Sequence, residues 1–234
     1  NAPAYSKPDD DIGFVTRVYK GLKENGSIFS HPNPWAWAAE CVLGRGDRAM
    51  QFYDALCPYW QNDKIETRKA EPYSYCQFIT GRDHKKFGEA HHPFMTGSGG
   101  WSYVAATRYM LGIRPEFDGL VIDPCISGGW DGFTAVRRFR GAVYEIEVRN
   151  PAHVCKGVKA LYLDGVRVER LPLLAPGTTG RVTAVLGSML QIKPLLHVDQ
   201  EGRLTAVGKA RGRHASLKTL VDRMEKTVTD EGRE

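Results

Sequence analysis

The sequence has no run approaching the roughly 18 apolar residues of a membrane helix, and no secretory leader opens it. A membrane partner is therefore not expected. It has no Cys-x-x-Cys pair, and its five cysteines (Cys41, Cys57, Cys76, Cys125 and Cys155) stand at no metal-like spacing from histidine. An odd, scattered set of this kind reads as reduced thiols in a cytoplasmic protein, with no metal site. Neither Gly-x-Ser-x-Gly nor Gly-x4-Gly-Lys-Ser/Thr occurs, which removes the hydrolase-elbow and P-loop readings. A strong excess of one charge is also missing. The 32 Lys and Arg stand against 27 Asp and Glu, too even a balance for the basic stripe of a nucleic-acid protein. The most telling absence is aromatic. Of 24 Phe, Trp and Tyr, 19 fall in residues 1–117, five in 118–162 and none after Tyr162. A uniform single domain does not produce that gradient.

What is present divides the 234 residues into three textures. Residues 1–33 are rich in Pro, Gly and Asp and read as irregular; the chain opens on Asn1 rather than Met, as a piece of a longer protein would. Asp9-Asp10-Asp11 lacks the alternating ligands of a calcium loop and reads as solvated surface. Helices are expected from Pro34 to Leu43, with Asn33 as N-cap, and from Asp47, itself a cap, to Leu56. Two more are expected, from Pro72 to about Ile79 and from Trp101 to Leu111. After Pro115 the pattern turns to strands. Tyr144, Ile146 and Val148 alternate with Glu145 and Glu147, and Asp164-Gly165 is a two-residue hairpin turn. A third texture begins near Gly180. It contains two strands around Gln200-Glu201-Gly202 and a helix from about His214. That helix carries Leu217, Leu220, Val221, Met224 and Val228 along one face, the pattern of a helix packed on a core.

Three features hold candidate chemistry. Thr96-Gly97-Ser98-Gly99-Gly100 precedes a helix, so its free backbone N–H groups and partial positive charge suit an anion. The plain alternative is a Gly/Ser turn that only caps the helix. His31 lies at a loop-to-helix junction stiffened by Pro32 and Pro34, where an ordinary hydrogen-bonded role competes with ligand contact. Trp35, Trp37, Tyr73, Tyr75, Trp101 and Tyr103, with Lys23, Glu24, Asn25 and Gln77, are the materials of a carbohydrate cleft: ring faces stack on sugar C–H surfaces and polar tips fix hydroxyls. Packing between helices accounts for most such rings taken singly.

Longer motifs narrow the choice. Lys23-Glu24-Asn25-Gly26, Ser30-His31-Pro32-Asn33, Glu71-Pro72-Tyr73, Thr96 through Tyr103, and Leu111-Gly112-Ile113-Arg114-Pro115 through Asp123-Pro124-Cys125-Ile126 follow one another in order. Residues 5–187 thereby resemble the C-terminal part of the family 94 glycoside phosphorylases, which include cellobiose, cellodextrin and chitobiose phosphorylases. The resemblance implies an α + β chain: part of an (α/α)6 barrel over 1–117, then a β-sandwich of jelly-roll type over 118–187. It also implies cleavage of a β-linked disaccharide by inorganic phosphate, with inversion to an α-sugar 1-phosphate. Phosphate takes the place of a base-activated water, so the protein supplies one general acid and a cradle for the dianion. By the same resemblance His31, Thr96 and Gly97 are phosphate contacts and Gln77 is a glycone contact, while Lys23 and Glu24 lie near the aglycone sugar. Val18 falls where cellobiose-type members carry Tyr and N-acetyl-sugar members a smaller residue, which leaves room for an acetamido group. Phosphate is a substrate, no cofactor is implied, and the intact enzymes form homodimers.

Two departures stand out. The family's general acid lies in an Asp-Trp-Asn-Asp-like motif that this sequence lacks, so no catalytic residue is assigned and the chain by itself is expected to be inactive. The tail also departs. Gly187 through Val198, Gly202-Arg203-Leu204 and Lys209 through Arg213 are similar to the end of DegV-type fatty-acid-binding proteins. Residues 188–234 are therefore expected to form a DegV-like hairpin and helix. A non-catalytic fragment or chimera, binding carbohydrate or lipid, is the competing reading.

Overall fold

The computed structural model describes residues 3–187, 192–198 and 204–231. The chain is α + β and divides into two compact units, Asn1–Gly187 and Ser188–Glu234.

In the first unit, helix α1 (Asn33–Val42) starts with proline in its first turn and is rich in alanine. Trp37 and Cys41, four residues apart and so on one face, are 0% and 1% exposed. They meet Ala49 of α2 (Gly46–Leu56), together with Ala105, Met110 and Cys125, and Trp37 meets Tyr53 edge-on at 5.6 Å. All five cysteines are free thiols. Its hydrogen bond to Cys125, then burial, pushes the Cys41 thiol upward, away from the reactive thiolate.

Both expected caps do other work. Asn33 is the first residue of α1, and its Nδ2 donates to Phe29 O at 2.7 Å. The Asp47 carboxylate accepts from Ser127 Oγ at 2.7 Å and from Gly128 N at 3.0 Å, tying α2 to a loop some 80 residues away. Gly46 permits that approach: a Cβ there would lie 1.9 Å from Ile126 O.

The helix expected over Pro72–Ile79 is a strand. After the short α3 (Ile65–Arg68), Pro72 sits in a turn closed by Ser74 N donating to Glu71 O at 3.1 Å. The buried Arg68 guanidinium holds that turn by donating to Ala70 O, Glu71 O and Ser74 O at 2.7–2.9 Å. From Tyr73 to Thr80 aromatic and β-favouring side chains alternate, and the period-two pattern prevails over the proline signal. Strand β2 (Cys76–Ile79) buries Cys76 and Phe78 and pairs antiparallel with both β1 (Ile28–Phe29) and β3 (Ala90–Pro93). Helix α4 (Ser98–Val104) begins three residues before the expected Trp101. It passes into a π-helical turn, Ala105–Met110, which ends before Gly112 at φ +65°.

Beyond it two sheets enclose one core. The first is β4 (Ile113–Glu116), β5 (Gly119–Ile122) and β10 (Leu171–Pro172), in the order β10-β5-β4. The second is β6 (Gly132–Phe139), β7 (Ala142–Arg149), β8 (Val158–Leu163), β9 (Val166–Val168) and β11 (Thr179–Leu186), in the order β6-β7-β11-β8-β9. Only the β7–β11 pair is parallel. Tyr144, Ile146 and Val148 point inward as their alternation requires, against Leu120, Ile122 and Leu171 of the facing sheet. The buried Tyr144 hydroxyl donates to Pro172 O at 3.1 Å and accepts from Leu174 N at 2.9 Å, joining the layers. Asp164 and Gly165 both take positive φ (+49° and +82°), as a tight hairpin turn between β8 and β9 demands.

The second unit is a hairpin of β12 (Ile192–Val198) and β13 (Leu204–Arg211) followed by α5 (Gly212–Glu231). The Gln200-Glu201-Gly202 turn lies outside the described residues. The helix does not pack as expected. Ser216 and Thr219 are half-buried, whereas Leu217, Leu220, Val221 and Met224 are 51%, 38%, 52% and 67% exposed. The side chain of Val228 lies outside those described. Among the described residues no helix is long and apolar enough to cross a membrane.

Candidate functional site

The small sheet β1-β2-β3 carries the site's parts to one place. Ser30 N donates to Gln77 O at 2.9 Å, extending the β1–β2 pairing by one residue. His31 thus leaves the sheet edge beside Gln77 and enters α1. On the far side of the sheet, Phe94 follows β3 at φ +64°, an uncommon conformation for a bulky side chain. Its N–H is anchored to Tyr75 O at 3.0 Å and Ser74 Oγ at 3.2 Å. That bend turns the chain into Thr96-Gly97. Thr96 Oγ1 accepts from Ser98 N at 3.1 Å and shares a 2.7 Å hydrogen bond with the fully buried Ser98 hydroxyl, which fixes the Thr96 rotamer at the start of α4.

His31 and Gly97, 66 positions apart in sequence, are in direct contact. A Cβ on Gly97 would stand 2.5 Å from His31 Cε1 and 3.0–3.1 Å from both ring nitrogens, so the imidazole lies over the bare Cα. Trp35 meets the His31 ring edge-on at 5.5 Å and meets Trp101 likewise at 5.5 Å, giving one continuous stack from His31 to α4. His31 and Thr96 are half-buried and Gly97 is exposed. The group therefore presents one imidazole, one hydroxyl and the N-terminal amides of α4 to the surface, a donor set suited to an oxyanion. Behind it, burial raises the Tyr75 phenol pKa, and Tyr75 packs 3.8 Å from where a Gly99 Cβ would be.

Val18, Lys23 and Glu24 form a second group. Lys23 and Glu24 are exposed on a tight turn, with Lys23 at φ +43°. The turn is built on Asn25, which is 0% exposed. Asn25 Oδ1 accepts from Tyr5 N at 2.7 Å, while Nδ2 donates to Val18 O at 2.7 Å and to Tyr5 O at 3.2 Å. One amide thus fixes Val18 relative to Lys23 and Glu24. Gly81, just past β2, locks the turn to the sheet: its N–H donates to Gly21 O at 2.8 Å, and a Cβ there would lie 1.8 Å from Gly26 O. Val18 lines a cavity of about 570 Å³ with Tyr5, Thr16, Tyr19, Lys20 and His84. His31, Gln77, Thr96 and Gly97 do not line that cavity. The sequence-derived residues therefore fall into two groups joined through β1 and β2. The sequence reading noted Asn25 only as loop material and passed over Arg68. The signal for Asn25 was there, since it is the one polar residue of Lys-Glu-Asn-Gly with an amide able to satisfy two strands at once. Among the described residues no group of three or more His, Cys, Asp or Glu is placed to hold a metal ion.

Comparison with known proteins decides the class of the first unit. Residues 1–112 match the model of the glycosyl hydrolase 94 superfamily, catalytic domain. An N,N'-diacetylchitobiose phosphorylase of Vibrio proteolyticus is 61% identical over 188 residues, which is 80% of this chain and 24% of the relative. Up to about residue 187 this is a family 94 sequence. A solabiose phosphorylase of Paenibacillus borealis is 31% identical over 183 residues, 77% of this chain and 24% of its own length. The chain thus spans about a quarter of the length of the curated phosphorylases it matches. Residues 168–234 match the DegV family of uncharacterised proteins. A DegV domain-containing protein of Streptococcus pyogenes is 41% identical over 58 residues, 25% of this chain and 20% of the relative. The DegV match begins inside the two-sheet region, at β9, so residues 168–187 lie in a part that both families describe.

Proposed function

We propose that residues 1–187 are the phosphate- and sugar-binding C-terminal portion of an inverting disaccharide phosphorylase of family 94, acting on a β-linked disaccharide of the chitobiose type. The observation that carries the reading is the seating of His31 over Gly97 beside Thr96, which draws the residues expected to contact phosphate into one donor group. In this reading α1, α2 and α4 are part of an (α/α)6 barrel and the two-sheet region is the C-terminal β-sandwich. His31, Thr96 and Gly97 hold the phosphate dianion in line with the anomeric carbon, Gln77 contacts the glycone, and Lys23 and Glu24 face the aglycone. Val18, a short side chain in the 570 Å³ cavity, leaves space for an acetamido group, in keeping with the 61% identity to a protein named for N,N'-diacetylchitobiose. No cofactor takes part, because phosphate is itself the second substrate.

The sequence contains no Asp-Trp-Asn-Asp-like motif, and in this reading the group that protonates the leaving sugar oxygen is missing. The isolated chain binds and does not turn over. Ligand-dependent melting tests the binding half. Inorganic phosphate with N,N'-diacetylchitobiose, each near 100 times its Kd, should stabilise the chain by about 2.7 kcal/mol per site. Palmitate should leave the melting temperature unchanged. Stabilisation by palmitate alone would transfer the function to the DegV-like tail.

A further inference from the structure

Helix α5 lies on its hairpin the wrong way round for a core element. Ser216 and Thr219 are half-buried, Arg223 donates to Val207 O of β13 at 2.8 Å, and the apolar stripe Leu217, Leu220, Val221 and Met224 is open to solvent. A stripe of this size on a charged helix needs a cover, and the charges flanking it say which. Leu217, Val221, Met224 and Val228 are spaced four, three and four apart, the seam of a short coiled coil. Lys218 and Glu225 both follow a seam residue directly, so they lie on the same flank one heptad apart.

We propose that α5 is a homodimerisation helix, covered by α5 of a second copy running antiparallel. In that orientation Val221 packs against Met224 of the other copy and Leu217 faces the position of Val228, which closes the seam by two-fold symmetry. The same register sets Lys218 of each copy opposite Glu225 of the other, giving two equivalent charge pairs. A parallel pairing would instead bring Arg213 toward Lys218, like against like. Opposed helix dipoles favour the antiparallel choice as well. One surface is thus self-complementary in shape period and in charge.

The test is the mass of the full 234-residue chain in solution by analytical ultracentrifugation. The 26.1 kDa chain should sediment as a concentration-dependent dimer. The pair L217E/M224E should weaken association at least 100-fold while leaving phosphate-dependent melting as in the parent, which separates this proposal from the phosphorylase reading. Lys218→Glu and Glu225→Lys should each weaken the dimer about tenfold, and the double exchange should restore it, because opposite charges again face each other. A monomer at every concentration overturns the proposal and would mean that another part of the same chain covers the helix. So does a dimer that survives L217E/M224E, or a charge exchange that fails to restore pairing.

Discussion

Gly97→Ala should abolish most phosphate binding while leaving the fold intact. Gly97 has φ −73°, a conformation alanine adopts readily, so backbone strain is not the reason. The added methyl would lie 2.5 Å from His31 Cε1, well inside contact distance, and the neighbour that must yield is a half-buried ring, not backbone. Displacing the ring also disturbs its edge contact with Trp35. Losing one hydrogen bond to a charged ligand costs about 1.5–3 kcal/mol, a 10- to 100-fold rise in the phosphate Kd. The melting temperature of the unliganded protein should stay near that of the parent. The mechanism makes a sharper demand. In a His31→Ala background the methyl enters vacated space, so Gly97→Ala should then weaken phosphate binding little further. Such non-additivity is what contact between the two residues predicts. Equal losses in both backgrounds would mean that Gly97 acts through its own amide and not through His31.

Asn25→Ala should act the other way, on stability first. The substitution leaves Val18 O, Tyr5 N and Tyr5 O without their partner at a fully buried position. Unmet buried polar groups cost about 1–3 kcal/mol each. With part of the segment free to open to water, a net loss of about 3 kcal/mol is expected. For a chain of this size that lowers the melting temperature by about 6–12 °C. Asn25→Asp should be no better. It keeps an acceptor for Tyr5 N but sets a carboxylate against two carbonyl oxygens. Because the Lys23–Glu24 turn is built on Asn25 and the His31 group is not, surviving Asn25→Ala protein at low temperature should keep its phosphate affinity. It should lose the added stabilisation from the disaccharide. Equal loss of both ligands would contradict the division of the site into two groups.

The motifs carried the sequence reading further than composition or periodicity did. The aromatic gradient located a change in the chain, and Tyr144, Ile146 and Val148 placed their strand correctly because alternation is a local property. The Asp164-Gly165 turn was legible for the same reason. The segment Pro72–Ile79 was misread because proline at a possible first turn outweighed a period-two run, and because the buried Arg68 that fixes the turn acts through space. Asn33 and Asp47 looked like caps in sequence, yet their side chains bond to Phe29 and to Ser127 and Gly128. Long-range partners of that kind leave no local trace. His31 and Gly97 were named from motifs, but their contact depends on a three-stranded sheet whose middle strand was taken for a helix. The apolar face of α5 was read as core, since a periodic stripe states that a surface will be covered and not by what.

The account's central claim is that this chain holds phosphate without the acid needed to use it, and phosphorus NMR tests both halves in one sample. With chain, inorganic phosphate and N,N'-diacetylchitobiose together, the phosphate resonance should broaden as protein is added. It should broaden far less with Gly97→Ala, and no sugar 1-phosphate resonance should grow in. A phosphate line indifferent to the protein, or a growing sugar 1-phosphate signal, would contradict the account.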